Sequence, residues 1–283
     1  MANRLDIVFE QLRARNEGAL IPLSPGDKAP FTTSMEIIDM LAEIESDAIE
    51  IAVPTRYPWM EGTAMQIHQL EAIEQGVGPS DSFKLMETAR EKYPDWPLVT
   101  LNFMGPVLTY GQDNYVSGCK RASMDAVDIP DYPYVSANDP LGFGADLVNN
   151  DVYFVADVTT DLAVAEEGTR EYNLLCNLIK KSGGFLFMIA QAGGVSGTKD
   201  SLPIDTLKPA VDRVKELEEK FGVNTPIIVV CGISTPEQVR DSIRVVGADG
   251  VMLGSAISKR IQAGESLEHI QPFAQTLKDA TRV

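Results

Sequence analysis

Ile227-Ile228-Val229-Val230-Cys231-Gly232-Ile233-Ser234-Thr235-Pro236-Glu237-Gln238 is one complete passage from strand to helix. Four β-branched residues in a row give an apolar strand with no polar face, as expected of a strand covered on both sides. A glycine turn ends it. Thr235 then offers a hydroxyl cap, Pro236 takes the first helical position, and Gln238 stands three residues past the cap, where its amide closes a capping box. The plan repeats on either side. Downstream, Gly250-Val251-Met252-Leu253 reads as a strand, Gly254-Ser255-Ala256-Ile257 opens a short helix, and a last helix covers about 266–280. Upstream, Phe185-Leu186-Phe187-Met188-Ile189 is a strand, Ala192-Gly193-Gly194-Val195-Ser196-Gly197 a glycine-rich loop, and about 206–221 a helix.

The alternation extends to the start of the chain. A leading helix is predicted over 4–15, then strands at Ala19-Leu20-Ile21-Pro22-Leu23, within Asp47–Pro54, at Leu98–Phe103, Ala126–Ile129 and Val152–Val155. Between them the periodicity predicts helices near 33–44, 64–75, 81–92, 113–122, 140–149 and 164–181. Thr33 and Glu36 are spaced as a capping box for the first of these, with Ile37, Ile38, Leu41 and Ile44 as its buried stripe. Eight strand–helix units without a linker predict an α/β fold: a TIM (β/α)8 barrel of the ribulose-phosphate-binding type. One such domain, with its leading helix, is expected to occupy residues 1–283. A doubly wound sheet is the alternative, but no Gly-x-Gly-x-x-Gly follows the first strand.

Composition narrows the partners. A net charge of −17 argues against nucleic acid and anionic membranes. No apolar run approaches the roughly 18 residues of a membrane span. Cys119, Cys176 and Cys231 show no zinc spacing and suit a reducing cytoplasm. A metal-free reaction without a cofactor is expected.

Glu50 lies inside the apolar run Asp47-Ala48-Ile49-Glu50-Ile51-Ala52-Val53-Pro54. A carboxylate there is unfavourable unless it is paired, hydrogen-bonded or protonated. Glu61 follows in the next loop, beside Gly62. An acid on a rigid strand and a second on its loop suit acid–base chemistry. The structural alternatives are an ion pair of Glu50 with Arg56 and a solvated Glu61. The other strand ends offer Asn102-Phe103, Pro130-Asp131-Tyr132, Gln191 and glycine loops. Lys180, Lys181 and Lys199 fall in helix or loop, away from the strand ends, so a Schiff base is poorly supported. Three glycine loops follow the last three strands, at Gly194–Gly197, Cys231–Ser234 and Gly254–Ala256. Barrels bind phosphate with such loops and a short helix N-terminus. Gly197, Gly232, Gly254 and Ser255 are therefore the expected phosphate-binding residues.

These segments resemble the tryptophan synthase α-subunit family along nearly the whole chain. The family's Ile-Glu-Leu-Gly-Ile-Pro is similar to Ile49–Pro54, and its Ala-Asp-Gly-Pro-x-Ile-Gln to Met60–Gln66. Its Gly-Val-Thr-Gly resembles Gly194–Gly197. Its two late signatures resemble Val230–Val239 and Ala248–Ala256. The resemblance implies a carbon–carbon lyase, which cleaves indole-3-glycerol phosphate to indole and glyceraldehyde 3-phosphate in tryptophan biosynthesis. It implies that Glu50 is the acid–base group and that Glu61, in place of the family's Asp, holds the indole N–H. It places Phe103, Asp131, Phe187 and Ser196 against the substrate, and a pyridoxal-phosphate β-subunit as partner.

The departures cluster. Phe103 and Phe187 replace tyrosines, Ser196 replaces a threonine, and Thr55–Met60 lacks the pattern that faces the β-subunit. Two alternatives follow: a related lyase acting on a different aryl- or alkyl-glycerol phosphate, and a non-catalytic subunit that binds a phosphorylated ligand and regulates a partner.

Overall fold

A computed structural model describes residues 2–24, 31–132, 139–190, 202–230 and 232–282, with backbone alone at 31–33 and 64. Eight parallel strands close in sequence order: β1 (Ala19–Ser24), β2 (Ile49–Ala52), β3 (Leu98–Leu101), β4 (Ala126–Asp128), β5 (Tyr153–Thr159), β6 (Leu186–Ile189), β7 (Ile227–Val230) and β8 (Gly250–Leu253). β8 returns to β1 with Ala19 opposite Gly250 and Pro22 opposite Leu253. The predicted barrel is the observed fold.

Strand alternation sorts side chains into two cores. Ala48, Ala52, Val99, Leu101, Val155, Phe187 and Ile228 point into the barrel, while Ile49, Ile51, Leu98, Val127, Phe154 and Val229 pack outward on the helices. Both faces of the strands are covered by apolar side chains over most of their length, and polar groups enter the inner face toward the upper end. Helix α1 (Arg4–Arg15) plugs the lower mouth. Its Leu5, Phe9 and Leu12 join the inner core, with the Phe9 ring 6.1 Å from Phe185.

The outer helices are α2 (Phe31–Glu43), α3 (Thr63–Glu74), α4 (Pro79–Lys92), α5 (Met104–Tyr110), α6 (Gln112–Arg121), α7 (Phe143–Asn149), α8 (Thr160–Ala163), α9 (Arg170–Lys181), α10 (Ile204–Phe221), α11 (Pro236–Arg244), α12 (Ser255–Gln262) and α13 (Leu267–Asp279). The Thr235–Gln238 box forms: Gln238 N–H donates to Thr235 Oγ1 at 3.2 Å, and Thr235 N–H to Gln238 Oε1 at 3.1 Å. Thr33, expected to cap α2, instead has its backbone inside that helix, which begins at Phe31. The helix expected over 164–181 begins only at Arg170, as α9; the turn around Glu166-Glu167-Gly168 takes up its first residues, and the short α8 precedes it. Helix α5 went unpredicted because Gly105-Pro106 reads as a loop. Pro106 sits in the first turn, where its missing N–H has no helical partner to lose.

A repeated clip ties the lower ends of the strands in pairs. Asp47, before β2, accepts the Leu20 N–H of β1 at 2.7 Å. Asp125, before β4, accepts the Leu98 N–H of β3 at 2.8 Å. Ser182, before β6, accepts the Ala156 N–H of β5 at 3.1 Å. Asp249, before β8, accepts the Ile227 N–H of β7 at 2.9 Å. Each clip satisfies a strand N–H where the ladder has ended.

Candidate active site

At the upper, C-terminal end of the barrel lies a chamber that opens to solvent. Its apolar walls with a few convergent polar groups suit a small-molecule ligand. Glu50 enters it from β2. Ala48 and Ala52 flank it on the same inner face, so small neighbours leave the carboxyl room. It is 0 % exposed, and neither of its oxygens has a hydrogen-bond partner. Arg56 is exposed and does not pair with it. Burial, then Glu61, then Asp157 drive its pKa well above the ordinary carboxylate range.

Glu61 is held in place by helix α3. Gln66 donates its side-chain amide to the Glu61 carbonyl at 2.7 Å, and Gln69 Oε1 accepts the Thr55 N–H at the start of the loop at 3.1 Å. These contacts turn Glu61 into the chamber rather than out to solvent. Burial, with Asp157 second, pushes its pKa to about 7. Met60 lines the chamber beside it, while Trp59 is 55 % exposed and points away.

Two further acids share this space, and the sequence reading passed over both. Asp128 ends β4; it is buried, and its Oδ1 has no partner. Burial, reinforced by the carboxyls around it, raises its pKa well above normal. Asp157 enters from β5, opposite Phe187 of β6, and burial raises it to about 7. Period-two alternation was the available signal. Tyr153, Val155 and Asp157 share the inward face, as do Ala126 and Asp128. The expected strand stopped at Val155, but β5 runs on to Thr159. No cation lines the chamber among the described residues. Nor do any three of the acids there converge closely enough to hold a metal ion.

Across the chamber from these acids stand Gly232, Gly254 and Ser255. Ser255 begins α12, whose N-terminus has no side-chain cap, so its first N–H groups are free to meet an anion. The two glycines differ. Gly232 has φ +87°, so its turn requires glycine. Gly254 has φ −103°, and an added Cβ would meet only ordinary contacts at 3.8 Å or beyond. Neither backbone nor crowding demands glycine at 254, which leaves close approach of a ligand as its reason.

Six of the ten residues named from the sequence line the chamber: Glu50, Glu61, Phe187, Gly232, Gly254 and Ser255. Phe103 is buried just past β3, and Leu101 lines the chamber in its stead. Asp131 stands outside it. Its Oδ1 accepts the Met104 N–H at 2.9 Å and caps α5. Ser196 and Gly197 lie outside the described residues.

Fold and chamber define a β/α-barrel enzyme whose chamber sets buried carboxyls together with a helix N-terminus open to an anion. The sequence profile of the tryptophan synthase alpha chain family matches residues 9–282. The tryptophan synthase alpha chain of Edwardsiella ictaluri is 32% identical over 285 residues, covering 99% of both chains. That of Methanosarcina mazei is 30% identical over 272 residues, covering 95% of this chain and 91% of its own. The structure of Mycobacterium tuberculosis tryptophan synthase superposes with a TM-score of 0.83 at 24% identity, covering 100% of each chain. The chain belongs to the tryptophan synthase alpha chain family. It is a carbon–carbon lyase of tryptophan biosynthesis, of the kind that cleaves indole-3-glycerol phosphate.

Proposed function

We propose that Glu50 carries that cleavage within one barrel domain; the observation that supports the role is that its buried carboxyl has no hydrogen-bond partner among the described residues. A proton is added at ring carbon C3, and the ring nitrogen takes up the positive charge. Glu50 then removes the proton of the hydroxyl on the carbon attached to C3. The C–C bond breaks, its electron pair returns to the ring, and the two products are indole and glyceraldehyde 3-phosphate. Burial keeps Glu50 protonated in the resting chamber, so it can first serve as the acid. Glu61, as a carboxylate, faces the ring N–H and offsets the charge developing there. The glycerol phosphate lies across the chamber on Gly232, Gly254 and the N-terminus of α12.

The partner is a pyridoxal-phosphate β-subunit. Tyr57 is 79% exposed and Trp59 55% exposed on the loop beside the chamber mouth, and both are apolar groups suited to an interface. Among the described residues no helix is long and apolar enough to cross a membrane, which accords with the cytoplasm as the place of work.

Indole release from indole-3-glycerol phosphate tests the reading, and Glu50→Gln must abolish it. Wild-type activity in that variant overturns the assignment. An absence of indole with retained binding of glycerol phosphates moves the chain to another aryl substrate. Asp157 is the observation that favours this second reading, because it adds a polar group at the ring end.

A further inference from the structure

We propose that Asp157 is a positioning residue for Glu61: the two carboxyls share one proton, and that proton fixes Glu61 against the ring N–H of the substrate. The inference rests on the reading of the chamber given above.

Glu61 and Asp157 line the same chamber, one from the loop after β2 and the other from β5. Asp157 is opposite Phe187, which places it at the ring end rather than the phosphate end. Neither carboxyl receives a hydrogen bond from a described residue; burial raises both, and Asp157 adds to the rise at Glu61. The remaining groups facing the pair are Glu50 from β2 and Asp128 from β4. The other strands present Leu23, Leu101, Phe187, Val230 and Met252, none of them titratable. With no cation lining the chamber among the described residues, four carboxyls do not all ionise, so protons stay in the chamber. Glu61 and Asp157 both titrate near 7, which makes this pair the place where a proton is held in common at neutral pH. A protonated Asp157 donates to a Glu61 carboxylate. That bond supplies what the protein otherwise withholds: a donor that stops the longer Glu side chain from swinging. One carboxylate oxygen stays free for the ring N–H.

The test is a cycle of two ligands against two variants. Indole-3-propyl phosphate, which has the ring N–H but no glycerol hydroxyls, and its N-methyl counterpart are titrated calorimetrically into wild type, Asp157→Ala and Asp157→Asn. Loss of one positioned hydrogen bond is worth about tenfold in affinity. Asp157→Ala is expected to weaken the N–H ligand by about tenfold and the N-methyl ligand hardly at all. Asp157→Asn keeps a donor and restores most of the affinity. In Asp157→Ala the acid-side midpoint for binding the N–H ligand moves to higher pH, because the donor that favours the Glu61 carboxylate is gone. In Asp157→Asn, which keeps a donor, it stays near the wild-type value. Equal weakening of both ligands, or a midpoint that falls in either variant, overturns the proposal. Wild-type protein that binds neither ligand overturns it as well. If Asp157→Ala does not fold, Asp157→Asn decides: a midpoint near wild type supports the shared proton, and a lower one overturns it. Indole release by wild type is measured in parallel. Its absence alongside an intact binding cycle would count against the proposed reaction and leave the pair standing.

Discussion

The two ends of the barrel treat buried acids in opposite ways. At the lower end Asp125 meets Arg90 at 2.7 Å, Arg4 at 3.0 Å and the Leu98 N–H. Asp47 meets Lys278 at 2.6 Å and the Leu20 N–H. At the upper end Glu50 has nothing, and no cation lines the chamber among the described residues. Both ends bury acids; the partners differ. An acid supplied with donors is holding strands together. An acid denied them keeps its proton, and with it the ability to exchange one.

The contrast can be broken at either end. The largest effect is expected at Glu50. Glu50→Gln should reduce turnover by about 10²- to 10⁴-fold, the usual worth of a positioned acid–base group. It should not lower the unfolding midpoint in urea at pH 8, because it removes a carboxyl that had no partner. Asp125→Ala should do the reverse. Stranding Arg90 and Arg4 costs about 3–5 kcal/mol of stability, as for a broken buried pair. Urea unfolding checks this, and the folded fraction should keep its turnover.

The third prediction concerns pH. Burial raises Asp157 from an ordinary 3.8 to about 7. The folded protein therefore holds the proton across that interval while the unfolded chain has lost it. Stability should be full below about pH 4 and decline as pH rises through about 7. Each tenfold change in proton affinity corresponds to about 1.4 kcal/mol. Asp157→Asn should raise the thermal midpoint at pH 8 and lose that advantage near pH 4. The smallest effect is expected for Ser182→Ala, which removes a neutral clip at the lower end. About 1 kcal/mol should be lost in urea unfolding, with no change in pH dependence.

The same contrast explains what could be read from the sequence. The barrel was legible because each strand is an apolar run and each helix carries its own period. Glu50 was legible because it interrupts such a run. Asp157 was hidden because Ala156-Asp157-Val158-Thr159-Thr160 looks like the segment past a strand, and its pairing with β6 is what makes it part of β5. Asp128 was in view but passed over for Asp131, three residues on. The difference between them is set by the Met104 N–H that Asp131 caps, and that contact joins residues 27 apart. Phe103 was placed one inward position too far along β3 for the same reason: the height of a side chain in the barrel depends on strand stagger, which no local pattern records. The clips were invisible as a set, since one of the four uses serine where the others use aspartate.

Those clips bear on how the chain is built. Each closes over a short stretch of chain: 27 residues for Leu20–Asp47 and Leu98–Asp125, 26 for Ala156–Ser182 and 22 for Ile227–Asp249. Short closures form fast and need nothing that has yet to be synthesised. A nascent chain leaving the ribosome can therefore set its strands in locally fastened quarters, one after another. The β8–β1 seam has no such fastening among the described residues and joins the most distant parts of the sequence. It is the last to seal, and until then β1 stands as an open edge waiting for its neighbour.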